Sequence, residues 1–189
     1  MNNKIVAIKK GQKLDIAYGV GETKFGNCLI AWSGQDLCFL GFTESSATSK
    51  NVKEILRELE NAWTNCRFLE DNKRAKAIVE DVFLGKFNGN LLVTGTDFQI
   101  KVWDALINIT PGETVSYQTF ANSLLGKNYT RAVASAIASN NISYLIPCHR
   151  VVHKSGRASK YRWGSNIKKE LLIDEKIAMP TSASTNKSV

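Results

Sequence analysis

The hydrophobic pattern changes period part-way along this chain, and that change limits the folds open to it. Up to residue 42 the apolar residues fall in short β-branched and aromatic runs, LDIAYGV (14–20), NCLIAWS (27–33) and DLCFLGF (36–42). Runs of this length and composition predict strands, and the Gly34-containing link between the last two predicts a hairpin. From residue 52 the spacing becomes helical. Val52, Ile55, Leu56, Leu59 and Trp63 share one helical face, and Ala75, Ile78, Val79, Val82 and Phe83 share another. Near Gly95 the character changes again, to helices alone. Thr96 with Gln99 three residues on is the pattern of a capping box, and Phe98, Val102, Ala105 and Leu106 form an apolar stripe behind it. Strands first and helices afterwards indicate an α+β chain. We expect a small antiparallel sheet with helices over residues 1–94 and a mostly helical unit over 95–179. A disordered polar tail, PTSASTNKSV, is expected over 180–189.

Pro111-Gly112 breaks the helix that starts at Thr96. Ser116 can cap the next, Tyr117 to Leu125, with Tyr117, Phe120, Ala121 and Leu124 inward and Gly126 as a left-handed stop. After the link Lys127-Asn128-Tyr129 a third helix is expected from about Thr130 to Ser139. Two short helices around a tight glycine-containing turn outline a helix-turn-helix, although any αα-hairpin shares that outline. In the third helix Ala132, Val133, Ala136 and Ile137 can face inward, while Ala134, Ser135, Ala138 and Ser139 leave the other surface almost bare of bulk. Headed by Arg131, such a face can come close to a groove. Small residues can equally serve only for tight helix packing.

The formal net charge of +8 favours a polyanionic partner, either nucleic acid or an anionic membrane surface. No run approaches the roughly 18 apolar residues of a membrane span. The start, MNNKIVAIKKGQK, holds only a four-residue apolar run, too short for a signal-peptide core. A reducing cytosol or nucleoid is therefore expected, where Cys28, Cys38, Cys66 and Cys148 would stay unpaired. There is no CxxC pair, and both histidines, His149 and His153, stand beside Cys148. No zinc set is expected, and the first three cysteines read as small buried hydrophobes.

The fourth cysteine is different. SYLIPCHRVV (143–152) reads as a buried strand that Pro147 ends, presenting Cys148 at its edge. His149, Arg150 and His153 bring a base and positive charge near the thiol, the conditions that make a cysteine nucleophilic.

FQIKVWDAL, PGETVSYQTFA, TRAVASAIASN, IPCHRVV and YRWG follow in order between Phe98 and Glu175. This run resembles the catalytic domain of the O6-alkylguanine-DNA alkyltransferases (methylated-DNA-protein-cysteine methyltransferases), especially the bacterial type. The N-terminal half resembles their accessory domain, an RNase H-like unit, only loosely. The resemblance implies an irreversible, single-turnover transfer of an alkyl group from O6-alkylguanine, and from O4-alkylthymine, in DNA to Cys148. His149 would be the base, acting through a bound water and oriented by Glu175. Asn140 would be the hinge that ties the recognition helix to the active-site strand. Tyr117 would rotate the target nucleotide's phosphate and donate to N3 of the departing guanine. Arg131 would fill the gap left by the flipped base, with Thr130, Ala132 and Ser135 beside it against the minor groove. Backbone groups at Cys148 and Val151 would read the guanine edge, with Tyr161 and Ile137 lining the pocket.

The implied partner is double-stranded DNA carrying alkylated bases, bound by a cytoplasmic, nucleoid-associated monomer, with cooperative assembly on DNA left open. No cofactor is implied. Animal members hold zinc in the N-terminal domain, and the histidines for it are absent here, so no metal is expected. Position 162 is Arg where animal members have Ser, and Lys160 stands where a small residue such as Gly or Asn is expected. A basic side chain in the loop 154–163 could instead touch a phosphate. Lesion sensors that resemble this domain lack the acceptor cysteine, which is present here. An adaptive-response regulator would need a further zinc domain, and a cysteine hydrolase would leave the helix-turn-helix unused.

Overall fold

The computed structural model describes residues 3–43, 51–155 and 161–176. The expected tail and Lys160 lie outside the described residues. The first unit runs β1 (Ile5–Ala7), β2 (Asp15–Thr23), β3 (Gly26–Ser33), β4 (Asp36–Thr43), α1 (Val52–Ala62), β5 (Arg67–Glu70), α2 (Asn72–Phe83) and β6 (Leu91–Val93). The second runs α3 (Asp97–Ile107), β7 (Val115–Ser116), α4 (Tyr117–Leu125), α5 (Thr130–Ala138), β8 (Val151–Val152) and α6 (Ser165–Asp174).

The three long strands fall where the sequence puts them, and Gly34 turns β3 into β4 with a left-handed φ of 64°. The sheet they build is larger than the antiparallel one expected. It has six strands in the order β1-β6-β4-β3-β2-β5. Only β2–β3 and β3–β4 are antiparallel, while β1–β6, β4–β6 and β2–β5 are parallel, so the sheet is mixed. The additional strands are three or four residues long, too short for alternation to show, and β5 reads Arg-Phe-Leu-Glu with both charged ends exposed.

Helices α1 and α2 start on side-chain caps, a reciprocal Asn51–Glu54 box and Asp71 respectively. They bury Ile55 and Leu59, and Ala75, Val79 and Val82, against the sheet. Cys28 and Cys38 lie in this core as small hydrophobes, and burial pushes the Cys28 thiol up to about 12. Cys66 is only half-buried.

Strand β4 carries the sheet into the second unit. Its hydrogen-bonded register with β6 is confined to Leu37, which leaves Leu40 open on that side. The Leu40 N–H donates to the Asn141 carbonyl and the Ser143 N–H donates to the Leu40 carbonyl, both at 2.9 Å, making a parallel bridge between Leu40 and Ile142. Trp163 lies over the same strand at Gly41, where an added methyl group would meet its ring at 2.5 Å. Gly41→Ala should therefore destabilise the protein by about 1–3 kcal/mol through overpacking. Urea unfolding measures this, and an unchanged midpoint would show that Trp163 can move aside at no cost.

The strand expected to run into Pro147 does not form. Tyr144 has a φ of 67°, the Leu145 N–H bonds back to Ser143, and the Ile146 N–H bonds back to Ile142. Residues 143–147 fold over themselves beside β4, and Cys148–Arg150 then makes a single 3₁₀ turn. Leu145, Ile146 and Pro147 are apolar because they are buried, and beside Tyr144 they look like a strand. The turn geometry that buries them leaves no mark on hydrophobicity.

Candidate active site

Helix α3 begins with the expected Thr96–Gln99 capping box and buries Val102, Trp103 and Leu106. Its Trp103 indole donates to the Ala136 carbonyl at 2.8 Å, fastening α5 to it. Ser116 caps α4, and Gly126 ends it with a φ of 87°. Val133, Ala136 and Ile137 of α5 are buried. Ala132 is not. It is exposed with Arg131, Ser135 and Ala138, because helical spacing from Val133, Ala136 and Ile137 turns it outward. Thr130, at the first position of α5, is half-buried.

Strands β7 and β8 pair in parallel, Val115 with Val151 and Ser116 with Val152. This short ladder sets Tyr117, the first residue of α4, beside the 3₁₀ turn that carries Cys148. Tyr117 is half-buried, its ring 5.9 Å from that of His153.

Cys148 is buried among polar partners. The Asn140 amide donates to its sulfur at 3.2 Å, and the Tyr161 hydroxyl lies 3.8 Å from it. Tyr161 is itself held by the Ser143 hydroxyl at 2.6 Å. Burial pushes the thiol up from its ordinary value, opposed by the Asn140 and Tyr161 hydrogen bonds and by the charge of Lys168. Asn140 also donates to the carbonyls of Ile142 and Ile146 and accepts from the Ile142 N–H. It ties the end of α5 to a turn rather than to a strand.

His149 has no exposed surface, and its Nε2 meets Glu175 Oε1 at 2.9 Å. Burial holds the imidazole below its ordinary value, outweighing the pull of Glu175, so the ring is neutral at neutral pH. Facing a carboxylate, Nε2 carries the hydrogen and Nδ1 keeps the lone pair. Nδ1 is buried and has no protein partner among the described residues. This is the tautomer a general base needs.

Glu175 stands just past the last turn of α6, as its C-cap. Arg150 grips both its oxygens, Nη2 to Oε1 at 2.8 Å and Nε to Oε2 at 3.0 Å, and donates through Nη1 to the Ile109 carbonyl. Burial would push the Glu175 carboxyl up, but the hydrogen bonds from His149 and Arg150 and the Arg150 charge outweigh it and hold it down at about 2. Val151 presents its carbonyl to Lys168 Nζ at 2.7 Å. Cys148, His149, Glu175, Asn140, Tyr161, Val151 and Tyr117 thus converge, while Arg131, Thr130, Ala132 and Ser135 lie on α5 apart from the thiol.

Two residues of the site were not foreseen. Arg150 counted only as nearby positive charge, whereas it is the second partner of Glu175. Lys168 was not singled out, although Ile167, Lys168, Leu171 and Leu172 are all buried on one face of α6. A lysine inside such an i, i+1, i+4, i+5 stripe is a readable signal. The N-terminal unit also touches the site in ways its composition hides. The Phe83 ring packs tilted against Tyr144, 4.5 Å away, and the Tyr144 ring lies parallel to His149 at 6.4 Å. Glu58 of α1 binds Arg162 at 2.6 Å, and Arg162 reaches Asn141 Oδ1 at 2.8 Å.

A buried thiol with a hydrogen-bond donor on its sulfur thus stands next to a neutral imidazole held by a carboxylate, in the unit that carries the two short helices α4 and α5. Residues 97–177 match the family model described as the 6-O-methylguanine DNA methyltransferase, DNA binding domain. The methylated-DNA-protein-cysteine methyltransferase of Saccharomyces cerevisiae is 32% identical over 165 residues, covering 85% of this chain and 87% of that protein. The chain belongs to the methylated-DNA-protein-cysteine methyltransferase family. The crystal structure of Mycobacterium tuberculosis OGT in complex with DNA superposes with a TM-score of 0.65 at 32% identity, over 85% of this chain and 92% of that one. The bifunctional transcriptional activator/DNA repair enzyme Ada of Escherichia coli is 36% identical over 166 residues, 87% of this chain. The match takes in 47% of Ada, so this chain spans about half the length of that relative.

Proposed function

We propose that this protein repairs alkylated DNA by direct reversal, moving the alkyl group of O6-alkylguanine onto Cys148 and being consumed in the process. The observation that carries this is the linked set Asn140–Cys148 and His149–Glu175, a polarised thiol next to a base of defined tautomer. His149 Nδ1 takes the thiol proton through a water. The sulfur then bonds to the alkyl carbon as the bond from that carbon to O6 breaks, and the electron pair stays on guanine. Tyr117 steadies the guanine anion from its hydroxyl, and the proton that His149 took from the thiol ends on that anion by way of solvent, leaving neutral guanine and neutral imidazole. A thioether has no leaving group, so no second turnover follows.

A base inside a duplex cannot reach a buried thiol, and flipping it out costs a few kcal/mol. The exposed small-residue face of α5 lets its backbone enter the minor groove, and Arg131 occupies the space the base leaves. Thr130, Ala132 and Ser135 line that approach, and Val151, Tyr161 and Ile137 enclose the flipped base. The net charge of +8 and the DNA complex of the mycobacterial relative support DNA as the partner. O4-alkylthymine fits the same chemistry. The N-terminal unit serves as the accessory scaffold of a monomer that works in the cytoplasm at the nucleoid.

Incubation with a duplex carrying O6-methylguanine should add one methyl group to the intact mass. Peptide mapping should place it on Cys148, and Cys148→Ser should take none. Binding without a mass change would sink the proposal. Arg131→Ala should slow repair of duplex DNA by at least roughly tenfold while sparing reaction with a free O6-alkylguanine base, since only the duplex demands flipping. Equal losses on both substrates would remove Arg131 from that role.

A further inference from the structure

The fold leaves one large aromatic ring in water, that of Tyr129. It is 48% exposed, while every other phenylalanine, tryptophan and tyrosine of the chain is buried or half-buried. Tyr129 ends the link between α4 and α5, just after Asn128, whose left-handed φ of 84° turns the chain into the helix. It is the N-cap of α5, a position that favours Ser, Thr, Asp or Asn because their oxygens bond to N–H groups of the first turn. Thr96 and Ser116 do this for α3 and α4, but Tyr129 makes no capping hydrogen bond. The ring therefore serves neither the core nor the start of its own helix.

Its place relative to α5 suggests what it does serve. Successive helical residues are about 100° apart around the axis. Tyr129 enters the helix at φ −94° and ψ 2°, on the border of the helical region, so the same spacing applies to it. Seen down the axis, Ala132 lies between Arg131 on one side and Tyr129 on the other. Ser135 and Ala138 continue the exposed small-residue face toward its far end. A cation and a ring thus flank the leading end of that face, with Lys127 and Asn128 exposed beside them.

We propose that Tyr129 is a positioning residue for duplex DNA, its ring packed against the sugar and base edges of the minor-groove wall, across Ala132 from Arg131. The proposal rests on the reading that α5 enters the minor groove. A bulky side chain aimed at the groove floor would prop the bulk-free face away from it. Along the wall the ring fits, and its apolar surface, wet in the free protein, leaves water there. Every nucleotide offers a sugar and a π face, so this grip depends on neither base sequence nor charge. Arg131 acts inside the stack once the base has left, whereas Tyr129 holds the duplex from the first encounter.

The test compares wild type, Tyr129→Ala and Tyr129→Phe in two measurements. One is affinity for an undamaged duplex across a range of salt, and the other is single-turnover methyl transfer from an O6-methylguanine duplex and from the free base. Tyr129→Ala should bind the duplex about tenfold more weakly. The slope of log affinity against log salt should not change, because a ring releases no counterion. On the lesion duplex the half-saturating concentration should rise by the same factor, with the plateau rate within about twofold of wild type. Tyr129→Phe should match wild type, since the contact uses the ring and not the hydroxyl. Reaction with the free base should be unchanged in both variants. Undiminished duplex affinity in Tyr129→Ala, an equal loss on the free base, or a loss accompanied by a shallower salt slope overturns the proposal. The last would mean that cations of the turn, and not the ring, made the contact. Wild type that binds the duplex but takes no methyl group would overturn alkyl transfer, while the affinity comparison still decides the role of Tyr129.

Discussion

Glu175→Ala should destabilise the protein by about 3–5 kcal/mol and abolish most alkyl transfer, because it strands a buried guanidinium and a buried imidazole together. Orientation of His149 alone predicts a loss of transfer with the fold intact. The structure adds Arg150, which is held on both Glu175 oxygens and is itself largely buried. The Gly112 N–H also points at Glu175 Oε2 at 3.3 Å, so the carboxylate fastens the loop after α3 as well. Glu175→Gln separates charge from shape. A neutral amide offers one acceptor oxygen and turns an N–H toward Arg150, so stability as well as transfer should fall, while DNA affinity of the folded fraction stays near wild type. The acid side of the stability curve gives an independent check. The folded carboxyl titrates at about 2 against an ordinary value of 4.5. Its stabilisation is complete above the ordinary value and is lost as pH falls from there through 2, a loss of about 3 kcal/mol. Urea unfolding between neutral pH and pH 3 should show that decline in wild type and a shallower one in Glu175→Gln. Parallel acid profiles would mean the carboxylate is not held as described.

The parts of the fold visible in the sequence are those whose causes are local. The Thr96–Gln99 box, the Ser116 cap, the Gly34 turn and the two apolar helix faces of the first unit each depend on a few adjacent residues, and each is present. What the sequence conceals depends on distant partners. Strands β1, β5 and β6 are too short to carry a period and exist because longer neighbours pair with them. The Tyr144 turn is hidden for a related reason, since its apolar residues are apolar whichever way the chain runs. The site divides along the same line. Cys148, His149 and Arg150 announce themselves as neighbours, but the pairing of Arg150 with Glu175 spans 25 residues. The N-terminal unit carries no chemical motif of its own, yet Leu40, Gly41, Phe83 and Glu58 brace the segment that holds the thiol. Its contribution is rigidity, which motifs do not record.

Asn140→Ala should loosen the fold and slow transfer together, through a different cause from loss of Glu175. This one buried side chain serves four groups. It accepts from the Ile142 N–H at 2.9 Å and donates toward the Ile146 carbonyl at 3.0 Å, the Ile142 carbonyl at 3.2 Å and Cys148 Sγ at 3.2 Å. An amide nitrogen has only two hydrogens, so the three acceptors share them, and the sulfur competes with two carbonyls. A thiolate competes better than a thiol because it is charged, which means ionisation draws the amide toward sulfur. Alanine removes all of this and leaves the buried Ile142 N–H unpaired, while the Ile142 and Ile146 carbonyls keep the Ile146 and Cys148 N–H groups, at a cost of about 1–3 kcal/mol in stability. Transfer should also slow by roughly tenfold or more, since the thiol loses the strongest of the groups that oppose its burial. Asn140→Asp distinguishes the scaffold role from the chemical one. It keeps the oxygen that accepts from Ile142 but turns a donor on sulfur into a negative charge. It should therefore retain more stability than alanine and react more slowly still. Urea unfolding and single-turnover rates on a free O6-alkylguanine base read the two effects separately. An Asn140→Asp protein that reacts as fast as wild type would show that the amide holds the turn in place and has no part in ionising Cys148.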